Sequence, residues 1–507
     1  MSYTQYTYQD WEKTPESQRR EMLMRIVETY KASDEFRTAC TAVKYFRAEN
    51  EAVSRKKLMR PTTVNTVRTV TPVKGEPYEQ QQKTTRNVEI EGNRVYSKYF
   101  YRVIVQENQH LLSNGVSIAD VGNVTGSEIK KRLGVGFDTT LSKMGEHALI
   151  QGVCWGYWNV DHVEPLLAAK DEDSGFVALV DEKTGEARIG VQFWRLSPNR
   201  PYWVRLFEED GLTMYCTDEN GALQENEPKR AYVQRVITDA LGTEVISGEN
   251  YGVLPVIPLY GNPEHVSELD NSIKSKIDAY DRIASDFTDN LDRANDVYWV
   301  LNNFGGTMNE VAEMIEQIQQ LQLVLNRSDG TGGGNTAQPH TLEVPYLARQ
   351  TALQILEAQI YKDAMALSLE EITGGSLTNV AIRAATTNLN LKCDRYEWQI
   401  FAFVQQLLRM QGIETEGISF VRQALVNQSE TIADIDKMLD YIDKKTALEL
   451  CPLIMSDQVE EIYERKQLEQ YAGRSTLPEE VETDDATAIE TAPDESDDEL
   501  PADDDKH

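Results

Sequence analysis

Residues 252–303 constrain this chain more than any other stretch. A short apolar run broken by prolines, VLPVIPLYGN, leads straight into a helical repeat: Leu269, Ile273, Ile277, Tyr280, Ile283, Phe287 and Leu291 recur at steps of three and four. That spacing draws one stripe along one side of a helix. The repeat predicts a helix over 264–296, about 50 Å long at 1.5 Å per residue. Its other faces carry nine acids against four Lys or Arg. A narrow stripe on so long a helix suits a partner lying alongside it better than burial in a round core.

The surrounding pattern is mixed. Residues 1–60 read as mostly helical, and 61–96 are polar with no core-forming period, an extended or flexible connection. Helical spacing returns over 99–112, 127–133 and 139–151, then strands with polar turns run from 153 to 259. Lys183-Thr184-Gly185 and Glu219-Asn220-Gly221 supply hairpin turn chemistry. Beyond the long helix, 297–345 combines strand-like YWVLNNF, LVLNR and HTLEV with one helix pattern and the glycine loop SDGTGGGNTAQ. A second long helix is predicted over 346–368, with Ala352, Leu353, Leu356, Ile360 and Leu367 on one side. A glycine-containing break, 369–379, separates it from a third helix over 380–410, and helical spacing resumes over 427–470.

Five segments, in order across residues 44–466, resemble the portal proteins of tailed phages, in the style of long-tailed phages of Gram-positive hosts. They are KYFRAENEAVSRKKL, SKYFYRVIVQENQHLLSNGVSI, LSKMGEHALIQGVCWGYWNV, the long helix with its entry strand, and the acid-repeating helical stretch 424–466. The resemblance implies an α+β portal fold assembled as a dodecameric ring at one capsid vertex. By that likeness 1–263 is a wing, 264–296 a first stem helix, 297–345 a clip and 346–368 a second stem helix. A tunnel loop (369–379), a long wing helix with its connection (380–426), a helical crown (427–474) and an acidic tail (475–507) follow. The stem would pack through Leu269, Ile273, Ile277, Tyr280, Phe287 and Leu291. Glu370, Glu371, Thr373, Gly374, Gly375, Ser376, Thr378 and Asn379 would line the DNA channel. Asp329, Gly330, Gly333 and Asn335 would form the exposed clip loop. Implied partners are further copies of the chain, double-stranded DNA passing without sequence specificity, the terminase large subunit, head–tail connector proteins, and the major capsid and scaffolding proteins. The resemblance implies no enzymatic step, cofactor or metal, and assembly in the host cytoplasm into the virion.

Composition sets the outer bounds. At 507 residues several domains are expected, because single cores stop growing near ~250–300 residues. The sequence holds no apolar run of about 18 residues, so no membrane span is expected, and the N-terminus lacks a basic start and an apolar core. Five scattered cysteines without a C-x-x-C pair suit reduced thiols, with neither a disulfide frame nor a zinc site. Net charge is −32, and residues 475–507 supply −13 of it (fourteen acids, one lysine). That tail has little to bury and is expected to be disordered. Such acidity opposes a clamp that grips phosphates, which needs Lys and Arg. A conduit through which DNA must slide has no such need.

Several chemical motifs fall short. The loop 330–334 lacks the Lys-Ser/Thr of a phosphate loop. Glu370 and Glu371 are adjacent on a helix end and diverge. Trp155, Tyr157 and Trp158 could stack bases, but sheet packing accounts for them more simply. His162 beside Asp161 has no second ligand pair nearby. An acidic α+β enzyme is opposed by these missing motifs, and a coiled-coil scaffolding protein by the hairpin-rich stretch 153–259.

Overall fold

The computed structural model describes residues 5–54, 57–70, 78–238, 244–294, 298–302, 336–340, 346–368, 379–422, 428–439, 441–451, 462–466 and 468. They fall in two compact units, Met1–Leu425 and Val426–His507. The first mixes helices with open antiparallel sheets. Its largest sheet runs, in spatial order, Leu223–Arg230, Gly211–Thr217, Trp203–Glu208, Ala187–Trp194, Ser174–Val180 and Ala169–Asp171. Neighbours in space are neighbours in sequence, so tight turns suffice to connect them. At one turn the Asp181 carboxylate accepts the Lys183 and Thr184 N–H groups at 2.7 and 3.3 Å. At the other, Asp218 accepts Asn220 and Ala222, both at 2.9 Å. Both are the turns that the glycine-containing triplets predict.

This sheet is covered on both faces. Val177 and Leu179 join Val191, Phe193 and Leu206 against the helices Glu16–Ala32 and Asp34–Phe46, whose Leu23, Ile26, Tyr30 and Phe36 complete that core. The alternating Phe176 and Ala178 meet Trp155 and Tyr157 instead. Period-two alternation therefore serves two cores, which is why these strands read as nearly continuous apolar runs. A smaller sheet orders Val256–Tyr260, Val153–Asn159 and His162–Leu167. Cys154 and Trp158 of its middle strand turn to a third core built with the helices Tyr99–Leu112, Phe137–Gln151 and Asn379–Met410. There the Tyr396 hydroxyl donates to Asn108 Oδ1 at 3.0 Å, and Asn108 Nδ2 donates to the Ser142 carbonyl at 2.9 Å.

Three boundaries differ from the sequence-based expectation. The long helix is Asn271–Ala294, 24 residues, so about 36 Å rather than 50 Å. Asp270 starts it, its Oδ1 accepting the Ile273 N–H at 2.7 Å. The preceding residues are bound elsewhere: Ser267 Oγ donates to the Ile150 carbonyl at 2.6 Å and the Glu268 N–H to that of Leu149 at 3.0 Å. The apolar spacing therefore runs back into a loop that closes the end of the 137–151 helix. The second long helix stops at Asp363, where Met365 takes a φ of +52° and Gln106 binds the Leu367 backbone on both sides, at 2.9 and 3.1 Å. Within 61–96, Lys57–Val70 and Tyr78–Glu91 pair as an antiparallel ladder. Polar residues on both faces hide that pairing from a search for core periodicity.

The second unit contains the helices Gln428–Met438 and Lys444–Glu449. Asp443 caps the latter, Oδ2 accepting the Lys445 and Thr446 N–H groups at 3.2 and 3.3 Å.

Gly152 joins the 137–151 helix to its strand at φ +89°, and a Cβ there would stand 2.9 Å from the Val266 carbonyl carbon. Strain and contact act together, so Gly152→Ala should lower unfolding stability by about 1–3 kcal/mol. Denaturant unfolding would read it, and a midpoint equal to the parent's would show that this junction tolerates a side chain.

Candidate functional site

The long helix presents a row of polar residues to its own chain. Asp281 Oδ1 accepts the Ser97 N–H at 2.9 Å, Ser285 Oγ accepts the Val95 N–H at 3.0 Å, and Asp289 Oδ1 accepts the Asn93 N–H at 2.7 Å. Asn50 donates to the other oxygen of Asp281, and Asn93 Nδ2 to Asp292 at 2.6 Å. One turn earlier Asp278 accepts the Tyr45 hydroxyl and, at 3.1 Å, the Lys274 ammonium. Burial holds Asp281 above the usual carboxylate range, against the pull of its Ser97 and Asn50 donors. Counted in the sequence as charge on the outer faces, these acids are receptors for the chain that enters the Tyr99–Leu112 helix. The available signal was Asp281-Ser285-Asp289, polar residues at steps of four inside an apolar repeat.

The apolar stripe divides along its length. Leu269, Ile273 and Ile277 are buried in the subunit's own core. Tyr280 meets Tyr99 edge to face at 4.9 Å, and Tyr99 meets Tyr361 of the Tyr346–Asp363 helix at 5.9 Å. Phe287 is half-buried and Leu291 is 47% exposed. The two long helices run antiparallel, because Ser272 and Lys276 both reach Asp363 at one end of the pair. Leu291 therefore shares the other end with Tyr346 and Leu347, which are 57% and 63% exposed. The packing role assigned to the whole stripe is internal at its start and unfilled at its finish.

A buried ion cluster ties the helix entry to the rest. Lys392 Nζ lies 2.7 Å from Glu107 Oε2 and 3.0 Å from Glu268 Oε2. Glu107 belongs to the Tyr99–Leu112 helix, Glu268 to the loop before Asn271, and Lys392 to the Asn379–Met410 helix. Burial, less the attraction of Lys392, raises the Glu107 carboxyl to about 7, and Glu268 adds to the rise. The two acids hold Lys392 above its ordinary range in spite of its burial.

The other sequence candidates separate cleanly. Trp155, Tyr157 and Trp158 are all buried, Trp155 against Phe176 at 5.3 Å and Tyr157 against Phe207 at 5.0 Å, so they pack the sheets. His162 Nδ1 is 2.8 Å from Asp161 and Nε2 is 3.5 Å from Glu164, on the surface. Among the described residues no group of three His, Cys, Asp or Glu is arranged to hold a metal. Burial pushes the Cys40 thiol up to about 11 and that of Cys393 to about 12. Asn379 opens the Asn379–Met410 helix. Glu370, Glu371, Thr373, Gly374, Gly375, Ser376 and Thr378, with Asp329, Gly330, Gly333 and Asn335, lie outside the described residues.

Lys392 and Glu107 give opposite expectations on substitution. Lys392→Met leaves the buried Glu107 carboxylate beside the part-buried Glu268 with no cation between them and should cost about 3–5 kcal/mol. The folded chain holds the Glu107 proton more tightly than the unfolded chain, whose carboxyl titrates near 4.5. The resulting stabilisation is fully present below that value and is lost as pH rises through about 7. Glu107→Gln should flatten the slope of stability between those pH values while leaving the fold intact. Melting curves across that range check both, and an unchanged slope would remove Glu107 as its source.

Comparison with known proteins gives the family of the chain. The family described as phage portal protein, SPP1 Gp6-like, matches residues 31–472. A portal protein of Clostridium phage phiCD119 is 24% identical over 159 residues, 31% of this chain and 35% of that one. The portal protein of Bacillus phage SPP1 is 26% identical over 238 residues, 44% of this chain and 46% of its own length. The chain thus spans less than half the length of either relative. No helix among the described residues is long and apolar enough to cross a membrane. With the family match running through most of its length, the chain belongs to the SPP1 Gp6-like family of phage portal proteins.

Proposed function

We propose that this chain is one subunit of a dodecameric ring at a single capsid vertex, through which double-stranded DNA enters and leaves. The family match over 31–472 carries the reading. The unfilled apolar end of the long-helix pair supports it, since Leu291, Tyr346 and Leu347 stand exposed on a single copy. In this reading the helices Asn271–Ala294 and Tyr346–Asp363 form the stem around the bore. Residues 297–345 form the clip, and its loop at Asp329, Gly330, Gly333 and Asn335 meets the terminase large subunit during packaging and the head–tail connector proteins afterwards. The wing and the crown meet the major capsid and scaffolding proteins and the packed DNA. The mechanism is guidance and gating without a covalent step.

Glu370 and Glu371 border the bore in this scheme. Repeated around a ring, their charge keeps phosphates from settling, while Thr373, Ser376, Thr378 and Asn379 offer weak, exchangeable contacts. Gly374 and Gly375 permit the backbone angles of a projecting loop. Glu370→Lys with Glu371→Lys should leave the ring intact and slow packaging, with added salt easing the defect.

The reading is tested first by assembly. Negative-stain images and sedimentation of the purified protein should show closed rings. Leu291→Asp with Leu347→Asp should weaken assembly about tenfold or more, since a buried unpaired charge is costly. Ile277→Asp is not diagnostic, because Ile277 lies in the subunit's own core. Monomers from the parent chain would refute the ring, and rings of parent strength from the double variant would free this helix end of a contact role.

A further inference from the structure

The Lys57–Val70 and Tyr78–Glu91 strands pair from Lys57↔Glu91 to Val70↔Tyr78, and among the described residues no third strand joins them. At about 3.4 Å per residue the ladder is roughly 45 Å long. A lone two-stranded hairpin is marginal in water, so this one requires support from elsewhere. Its root is fixed: Asn50 on one side and the backbone of Asn93, Val95 and Ser97 on the other are bound to the polar row of the long helix.

Alternate positions of a strand share a face, and paired residues share it too. The register gathers Leu58, Val64, Val70, Tyr78, Val88 and Ile90 on one face. Arg60, Arg68 and Arg86 fall on that face and no acid does. Lys57, Lys83, Glu79, Glu89 and Glu91 fall on the opposite face. The two strands together carry +2 (five cations, three acids), which leaves −34 on the rest of a chain whose total is −32.

We propose that this hairpin is an intersubunit arm, its arginine-bearing face seated on the acidic surface of a neighbouring copy of the chain. The proposal rests on the ring reading above. Arginine with apolar residues, free of lysine and acids, is the composition that protein interfaces favour. Phosphate contact would draw on the cations alone and gain nothing from six apolar positions.

The test cross-links lysines in a mixture of isotopically light and heavy full-length chains and identifies the joined peptides by mass spectrometry. Light–heavy links from Lys57 or Lys83 to sites outside the hairpin are expected. Beside it, the Arg60→Glu, Arg68→Glu, Arg86→Glu chain should self-associate about tenfold more weakly than the parent in sedimentation at low salt. The cross-linking uses the parent chain, so it decides the matter whatever the folding of the triple variant. Hairpin links confined to one chain overturn the proposal, as does a folded variant that assembles as tightly as the parent. Parent-strength rings that lose affinity for a DNA duplex overturn it in favour of a nucleic-acid contact. A parent chain that stays monomeric removes the ring reading and the arm together, whereas intact rings without hairpin links remove the arm alone.

Discussion

Every second residue of an extended segment advances about 6.6 Å, and every fourth residue of a helix about 6 Å. The two repeats nearly coincide. The N–H groups of Asn93, Val95 and Ser97 therefore fall in step with Asp289, Ser285 and Asp281, running in opposite directions, and each finds its acceptor within 3.0 Å. This match sets the register of the long helix against the chain that enters the Tyr99–Leu112 helix. An apolar contact could slide by a turn at modest cost. A row of donors set against the buried acceptors Asp281, Ser285 and Asp289 cannot, since each buried group left unpaired costs about 1–3 kcal/mol. The hairpin root, the Tyr99–Tyr280 contact and the Asp278–Tyr45 bond all inherit the placement that this row sets.

Lys392 plays the corresponding part at the helix entry. It reaches the Tyr99–Leu112 helix through Glu107 and the 262–270 loop through Glu268, whose other oxygen accepts Asn262 Nδ2 at 2.8 Å. Burial is what lifts Glu107 toward neutrality; the attraction of Lys392 opposes the rise and the second acid, Glu268, adds to it. Replacing the cluster with apolar residues could match its stability, because desolvating ions is expensive. What the cluster does in this structure is join three segments far apart in sequence through one ammonium between two carboxylates.

Much of this fold was legible in the residues. The strands and glycine turns between 153 and 259, the presence of two long helices on either side of 297–345 and the Asn379–Met410 helix all follow from local period and turn chemistry. The antiparallel direction of the two long helices shows only in the Ser272 and Lys276 contacts to Asp363. The start of the long helix did not follow either, because Leu269 continues the spacing although it precedes the capping residue Asp270. The polar row was hidden for a different reason. Period and composition mark which residues are polar, but whether Asp281 meets water or the Ser97 backbone is decided by a partner 184 positions away in sequence. The cluster of Glu107, Glu268 and Lys392 is equally long-range. Family likeness reached the overall assignment because order along the chain survives where spacing within one element is silent.

The same distinction bears on how the charge of this chain is read. Of the net −32, residues 475–507 hold −13, so the remaining body carries −19. Part of that body's acid faces inward: Glu107 is buried, and Asp281 and Asp289 are covered by the segment they bind. A field computed from composition treats every such carboxylate as if it faced solvent. The acidity that the surface presents is thus smaller than the formula suggests and more localised. Placement, rather than total, governs whether an acidic protein repels DNA at one surface and attracts a cationic face of its own neighbour at another. In the proposed ring, a basic hairpin rooted on a helix whose acids are already engaged would separate these two demands, because the acids that hold the root are not the ones left to meet a partner.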